Sequence, residues 1–236
     1  MFKLIKLHFY YIYSKILIYL LLSICGILLF YFLYEANAFS DYDIRWFNQK
    51  YLQQNYDYNL LLIIRIIIPI LSIYLFGNSF LYKQDIYVKI IIKNRNHRIK
   101  YFISKIIVII YILFFLYLIL FTMNNVIGNI FIPNHILSKS NTISWINIFL
   151  LSIVMGFISL SVSLWIKQSF GYIILIIIYL IVQMIIDSSN DISFVLSFVF
   201  PILDSNSEFI FGYFNFILLF LIYLFLGIVQ YYLIDF

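Results

Sequence analysis

Hydrophobic residues in this chain form six long runs separated by polar connections. The runs cover about Ile16–Tyr34, Leu60–Tyr82, Ile106–Met123, Ile143–Ile166, Ser169–Ile186 and Tyr213–Leu233. Each run has roughly the 18 to 25 residues that a helix needs to cross a hydrocarbon core of about 30 Å. None shows the two-residue alternation of a membrane barrel strand, so the runs must satisfy their backbone hydrogen bonds as helices. The pattern predicts an all-α, polytopic membrane protein with six transmembrane helices in a single domain, residues 1–236.

The composition also requires a lipid environment. Of 236 residues, 65% are hydrophobic and only 11% are charged, and the mean hydropathy is +1.04. No soluble core of this size could enclose so much apolar surface. The heavy use of Ile, Phe, Tyr, Asn and Lys is typical of an AT-rich bacterial genome, so we expect the plasma membrane of a bacterium. Cys25 is the only cysteine, which excludes an intramolecular disulfide and a thiolate metal cluster.

Lysine and arginine residues are concentrated on alternate connections. If both termini are cytoplasmic, the connections on that side carry eleven basic and two acidic residues, whereas the opposite side carries three basic and eight acidic residues. Cytoplasmic loops of membrane proteins are enriched in Lys and Arg, so we expect both termini in the cytoplasm. Because topology accounts for most of this charge, no nucleic-acid partner is needed to explain it.

The segment before the first run is amphipathic. Its apolar residues recur at helical spacing, at Phe2, Ile5, Phe9, Ile12 and Ile16. This pattern predicts an amino-terminal helix on the inner membrane surface. The alternative is that Lys3, Lys6 and Lys15 serve only to orient the chain. The residues Ala36–Ala38 imitate a signal-peptide cleavage site, but the preceding run is longer than the roughly 7 to 15 apolar residues of a signal peptide.

A second short apolar segment precedes the last run. In Asp191–Phe209, the apolar stretch Ile192–Phe200 is too short to cross the bilayer and ends at Pro201. We expect a short re-entrant or interfacial segment here. The alternative is an ordinary apolar loop that packs on the ends of the helices.

Groups that could carry catalysis are scarce. No Asp, Glu or His lies well inside any run, and His8, His97 and His135 lie far apart in the sequence. Intramembrane enzymes and proton-driven carriers use ionisable groups at membrane depth. The metalloprotease, dinucleotide, P-loop and nucleophile-elbow motifs are also missing from the sequence. We therefore expect a subunit with no ATPase or other catalytic site and no bound cofactor of its own.

Arg65 is the one charged residue within a run, four residues before Pro69. Arg65 lies about 7.5 Å below the start of the run, so its side chain could reach the outer headgroups. The alternative is that Arg65 faces a translocation path or a partner subunit, with Pro69 kinking the helix beside it. Polar residues at other depths are expected to hydrogen bond between helices. They are Asn78, Ser152, Ser161, Ser163, Gln183 and Asn215.

Seven of the fifteen basic residues lie in the connection Lys83–Lys105. At its start Asp85 precedes Lys89 in the favourable order for a helical ion pair, which predicts that the second span continues as a helix. The sequence "NRNH" at Asn94–His97 favours a turn, because Asn tolerates left-handed backbone conformations. The segment therefore predicts a helix, a turn and a second helix. Its basic tip would consist of Lys93, Arg95, His97 and Arg98.

In this arrangement the chain resembles the permease subunits of ABC transporters of the type-2 exporter family. The resembling residues are Asp85, "IIIKNRN" at Ile90–Asn96, Lys105 at the start of the third span, and "WIKQSFGY" at Trp165–Tyr172. The resemblance implies that Lys83–Lys105 docks on an ATP-binding cassette subunit that holds ATP and Mg. The coupling residues it implies are Asp85, Lys89, Lys93, Arg95, His97, Arg98 and Lys105. It also implies a second permease, either a copy of this chain or a paralogue.

The sequence therefore favours an exporter permease for a peptide of the bacteriocin or toxin kind, a lipid-like molecule or a drug. Two alternatives remain open. One is a non-transporting membrane protein that confers immunity or assists assembly, and the other is a channel or secondary carrier.

Overall fold

The computed structural model describes residues 4–6, 26, 30, 33–34, 49–80, 95–131, 139–166, 170–186, 201–203 and 212–233. Most of these residues form five helices: α1 (Gln49–Ser79), α2 (Arg95–Phe131), α3 (Lys139–Ile166), α4 (Phe170–Ile186) and α5 (Gly212–Leu233). Four are long and apolar enough to cross a membrane, and α4 is a shorter apolar helix. The prediction of an all-α membrane protein is therefore confirmed in this part of the chain. The first predicted span lies largely outside it, so six spans and cytoplasmic termini stay predictions.

The helices extend beyond the apolar runs from which they were predicted. α1 begins at Gln49 rather than Leu60, and α2 begins at Arg95 rather than Ile106. Polar residues such as Gln, Lys and Arg are good helix formers, and hydropathy does not register a helix once it leaves the lipid. The turn predicted at Asn94–His97 is wrong from Arg95 onward, because these residues form the first turn of α2. With 37 residues, α2 is about 55 Å long.

Contacts between the helices fix their relative directions. α1 and α3 pair residues in the same order, Asp57 with Asn141 and Ile73 with Ser159, and so run parallel. α2 runs against α3, since it pairs Phe121 with Trp145 and Phe114 with Phe149. The three helices therefore alternate in direction along the chain.

The last two helices continue this alternation. α4 runs against α1, since it pairs Tyr172 with Tyr74 and Tyr179 with Arg65. α5 runs parallel to α3, since it pairs Tyr213 with Asn147 and Tyr223 with Ser161. Residues near Gln49 and Gly212 thus lie at one end of the bundle, here called the Gln49 end, and Phe80 lies at the other, here called the Ser79 end. Alternating directions are what successive membrane crossings require.

α1 and α3 form the centre of the bundle through close backbone approach. A β-carbon on Gly156 of α3 would lie 2.4 Å from a ring carbon of Phe76 on α1, and one on Gly77 of α1 would lie 2.7 Å from the hydroxyl oxygen of Ser159 on α3. Ser159 of α3 donates a hydrogen bond to the carbonyl oxygen of Ile73, at 2.7 Å. Small residues and polar side chains of this kind stabilise helix pairs in lipid, where the hydrophobic effect does not drive their association.

Two short segments outside the five helices also pack on the bundle. Leu4 and Ile5 are half-buried against the apolar cluster at the Ser79 end, whereas Lys6 is exposed. The predicted amino-terminal helix thus turns its apolar residues toward the protein where it is described. Pro201–Leu203 is buried, and Leu203 belongs to the apolar core at the Gln49 end. The rest of the predicted re-entrant segment, including Ile192–Phe200, lies outside the described residues.

Candidate functional site

The predicted coupling residues fall into three groups in the structure. Asp85, Lys89 and Lys93 lie outside the described residues. Arg95 and His97 are in the first turn of α2, where only the helical backbone is described. Arg98 is half-buried on the next turn, whereas Lys105 is buried with 2% of its surface exposed.

Lys105 lies among aromatic rings from α2, from α5 and from Phe80 after the end of α1. Together we call these residues the Lys105 cluster: Phe80, Tyr101, Phe102, Lys105 and Tyr231. The Lys105 ammonium nitrogen is 4.7 Å from the centre of the Phe80 ring and 5.7 Å from that of Tyr101. Phe102 and Tyr231 have their ring centres 4.6 Å apart, and Phe80 contacts both rings. The cluster therefore joins α2 and α5 to Phe80, the residue that directly follows α1.

Lys105 stays a predicted coupling residue, and its burial gives it a place inside the bundle rather than on a docking surface. A buried ammonium loses hydration, and the negative faces of aromatic rings return part of that cost. Because Lys105 is enclosed, its charge is not available at the surface to a docking partner. Arg98 lies seven residues earlier on α2, about 10 Å away along the axis. Lys105 thus links the basic start of α2 to the interior of the bundle.

Arg65 is also enclosed by protein, with 2% of its surface exposed. It lies nine residues into the apolar part of α1, Tyr56–Ser79, and so about 13 Å from its start. This burial argues against a side chain that extends along lipid to the headgroups. The side chain lies in the interior of the described bundle, and a translocation path or a partner subunit beside it stays a prediction.

Pro69 affects the same part of α1 through the backbone. A helical amide donates to the carbonyl four residues earlier, but proline has no amide hydrogen, so the Arg65 carbonyl lacks its helical donor. The hydroxyl of Tyr179 donates to that oxygen at 2.6 Å. α1 remains one continuous helix through Pro69. Neighbouring helices often satisfy a backbone group freed by proline in this way.

Polar side chains gather at the Gln49 end of the bundle. The side-chain amide of Asn141 donates to the Asp57 carboxylate at 2.7 Å, and Asp57 is 2% exposed. The hydroxyl of Tyr213 donates to the side-chain oxygen of Asn147 at 2.9 Å. These two bonds connect α3 to α1 and to α5. They form a polar layer, defined here by Asp57, Asn141, Asn147 and Tyr213.

The expected hydrogen bonds between helices are found only in part. Ser161 donates to the carbonyl oxygen of Tyr223 on α5, at a long 3.4 Å, whereas Ser152 donates within its own helix to Ile148. Ser163 and Gln183 are buried, and no described protein group hydrogen bonds their side chains. The sequence shows which residues are polar, but it does not show which of them hydrogen bond to another helix.

Several residues of these sites were not singled out from the sequence. Asn124, Asn141 and Asn147 flank or interrupt apolar runs, but their partners are set by packing between helices distant in sequence. One signal was available for Tyr179. Pro69 within an apolar run indicates that the Arg65 carbonyl needs a donor from another helix.

Among the residues that the structure describes, no group of three or more His, Cys, Asp or Glu side chains could hold a metal ion. No protein-family model matches the chain, and no significant match was found among curated proteins or solved structures. A functional interpretation therefore depends on the arrangement of the chain's own residues.

Proposed function

We propose that this chain is the membrane-spanning permease subunit of an ATP-driven exporter of the ABC type-2 family. The ATP and Mg would be bound by a separate ATP-binding cassette subunit. The main support is the connection between the basic start of α2 and the interior, through the Lys105 cluster. Such a connection is what a subunit needs if it receives its driving force from outside the membrane.

The length and charge of α2 suit this role. At about 55 Å, the helix exceeds a hydrocarbon core of about 30 Å by roughly 25 Å. Its first turns carry Arg95, the half-buried Arg98 and the exposed Lys100. An acidic surface on a partner protein would be attracted to this basic end of α2, and the complementary charges would fix its orientation there.

The Lys105 cluster would transmit a movement of the start of α2 to the end of α1 and to α5. The rings of Phe80, Phe102 and Tyr231 are in direct contact, and close-packed interiors transmit displacement because they compress very little. A shift of the start of α2 would therefore displace Phe80 at the end of α1 and Tyr231 on α5. Both helices belong to the bundle that a substrate must cross.

The proposed substrate is a peptide of the bacteriocin or toxin kind, a lipid-like molecule or a drug. One chain would supply half of the pathway, completed by a second copy or a paralogous permease. The complex would lie in the plasma membrane of a bacterium, with both termini and the Ser79 end in the cytoplasm. The coupling surface would extend from Asp85 and Lys89 through Lys93, Arg95, His97 and Arg98.

Charge reversal at the proposed docking surface tests this function. The variant carries Lys93→Glu, Arg95→Glu and Arg98→Glu, and the matched control carries Lys139→Glu in the first turn of α3 at the opposite end. Each protein is purified with candidate ATP-binding cassette subunits of its source organism, and ATP hydrolysis is measured. We expect the triple variant to lose the ATPase and its stimulation, and the control to keep both.

Two results would contradict the proposal, each in a different way. If the triple variant unfolds like the native protein yet still binds and stimulates the ATPase, the docking surface is assigned wrongly. If the native chain binds none of the cassette subunits, it is not a permease of this kind. That second result would favour an immunity or assembly protein.

A further inference from the structure

Exposed tyrosines lie at the two ends of α5, at a spacing that matches a bilayer. Tyr213 and Tyr232 are both exposed, and they are about 28 Å apart along the helix axis. All the exposed side chains of α5 between them are apolar. A hydrocarbon core is about 30 Å thick, and tyrosine prefers its boundary because the ring is apolar and the hydroxyl is polar. We therefore expect Tyr232 at the membrane boundary of the Ser79 end.

Trp165 is the most exposed large hydrophobic side chain in the described part of the chain, at 81%. α3 is enclosed over most of its length, and none of its residues from Asn147 to Leu164 is exposed. The indole of Trp165 thus leaves the bundle where α3 ends. Trp145, near the other end of the same helix, is buried. An indole has a large apolar ring and a polar N–H group, so it is suited neither to water nor to the lipid core.

Contacts between α3 and α5 place Trp165 at the height of Tyr232. A β-carbon on Gly227 of α5 would lie 2.7 Å from a methyl carbon of Leu160 on α3. Trp165 follows Leu160 by five residues, Tyr232 follows Gly227 by five residues, and the two helices run parallel. The hydrogen bond that the Tyr223 carbonyl oxygen accepts from α3 agrees with this register, because a helical carbonyl points toward the residue four positions later.

Lys100 on α2 lies close to the same height. Its side chain is exposed. Phe102, two residues later on α2, has its ring centre 4.6 Å from that of Tyr231. α2 begins at the Ser79 end, so Lys100 is about 3 Å further out than Phe102 along the axis. Lys100 and Tyr232 are therefore within about one helical turn of each other in height.

The described charge at this end of the bundle is basic. Lys6 is also exposed, next to Ile5, which packs on the apolar cluster that contains Phe102 and Tyr231. Asp57, the one acidic residue in the described part of the chain, lies at the Gln49 end. Lysine binds phosphate as a point charge, and anionic lipids attract basic residues close to the membrane surface.

We propose that the Ser79 end binds the headgroups of anionic phospholipids, with Trp165 and Tyr232 in the headgroup layer and Lys100 on lipid phosphates. Arg95 begins α2 about 7.5 Å further out than Lys100, so it extends past this layer toward a protein partner. The basic start of α2 is thereby divided between lipid and protein. This inference requires only that α3 and α5 cross a membrane, and it does not rest on the proposed ATPase coupling.

The depth of Trp165 is measured by fluorescence quenching in vesicles of phosphatidylcholine and phosphatidylglycerol. The lipids are brominated either close to the headgroup or near the end of the acyl chain, and the signal of Trp165 is the fluorescence that Trp165→Phe loses. We expect shallow bromines to quench Trp165 at least about twofold more than deep ones. A tryptophan introduced by Ile222→Trp in the Trp165→Phe protein is the control, because Ile222 is exposed near the middle of α5 and deep bromines should quench it more.

Two results would overturn the position of Trp165. Equal or stronger quenching by deep bromines would put the indole in the lipid core. Quenching by neither lipid would mean that water or protein, rather than lipid, surrounds it.

The lysine contact is tested by adding lipid to the full chain in detergent. The melting temperature is followed as phosphatidylglycerol or phosphatidylcholine is titrated, and the midpoint gives an apparent affinity. We expect phosphatidylglycerol to bind more tightly, and Lys100→Gln to weaken its binding about fivefold. Lys139→Gln, at the start of α3 and the opposite end of the bundle, is the matched control and should keep the native affinity. Native affinity in Lys100→Gln, or an equal loss in both variants, would overturn the proposal.

Discussion

The hydroxyl of Tyr179 on α4 donates a hydrogen bond to the carbonyl oxygen of Arg65 on α1, at 2.6 Å. In an unbroken helix this oxygen would accept from the amide of residue 69. Residue 69 is proline, which has no amide hydrogen. One helix therefore supplies the donor that another lacks, next to the arginine buried within the bundle.

Loss of the Tyr179 hydroxyl should destabilise the protein because it leaves the Arg65 carbonyl buried without a donor. We expect Tyr179→Phe to lower the free energy of unfolding by about 1–2 kcal/mol, measured by denaturant or thermal unfolding in detergent. Replacement of Pro69 by alanine restores a helical amide, so Tyr179→Phe should cost much less in a Pro69→Ala background. An equal cost in both backgrounds would show that the proline and the tyrosine are not linked.

The Lys105 cluster should show an energetic coupling between its cation and its nearest ring. In a double-mutant cycle of Lys105→Met and Phe80→Leu, we expect a coupling of about 1–2 kcal/mol in the free energy of unfolding. Phe76→Leu is the matched control, since the Phe76 ring packs on Phe157, with ring centres 5.2 Å apart. Coupling of Lys105 to Phe76 as strong as to Phe80 would argue against a specific contact with the Phe80 ring.

Close approach of α1 and α3 should make Gly156 intolerant of a larger residue. A β-carbon there would lie 2.4 Å from a ring carbon of Phe76, which is fully buried, so the ring or the helix would have to shift. We expect Gly156→Ala to cost about 1–3 kcal/mol of stability. Gly26→Ala is the control, because nothing lies within 4 Å of the added carbon. Similar melting temperatures for the two variants would mean that α1 and α3 are less closely packed than described.

The serine hydroxyls of α3 should differ according to whether they bond to another helix. Ser159 bonds to the Ile73 carbonyl of α1, whereas Ser152 bonds to Ile148 of its own helix, both at 2.7 Å. We expect Ser159→Ala to lower the free energy of unfolding by about 0.5–1.5 kcal/mol. Ser152→Ala should lower it less, because loss of the Ser152 hydroxyl leaves the contact between helices intact. Thermal unfolding of the two variants side by side measures this difference. The reverse order would contradict the assigned partners.

Much of the fold follows from the sequence because lipid imposes a simple rule on it. An apolar run of spanning length must form a helix, and α3 to α5 begin and end within four residues of their predicted limits. The apolar runs begin eleven residues after α1 and α2 do, and only for α2 did the pattern in Lys83–Lys105 predict a helix that leads into the run. Hydropathy indicates where a helix lies in lipid, and it says little about how far the helix continues into water.

The sites were less predictable, because they depend on which side of each helix faces the protein. A run such as that around Arg65 is apolar on all sides, so the sequence alone leaves its inward face undefined. Lys105 is a second example. Its charge predicts a position at the protein surface, but the rings of Phe80 and Tyr101 enclose its ammonium group. Partners such as Tyr179 lie more than a hundred residues away in the chain.

The most direct measurement concerns the side of the membrane on which the basic end lies. Lys50→Cys and Lys93→Cys are prepared separately in a Cys25→Ser background and treated in intact cells with a maleimide that does not cross membranes. We expect labelling at position 50 in intact cells, and labelling at position 93 only after the cells are permeabilised. Labelling at position 93 in intact cells would put the basic connection outside, where no cytoplasmic ATPase could reach it, and would contradict the proposed coupling.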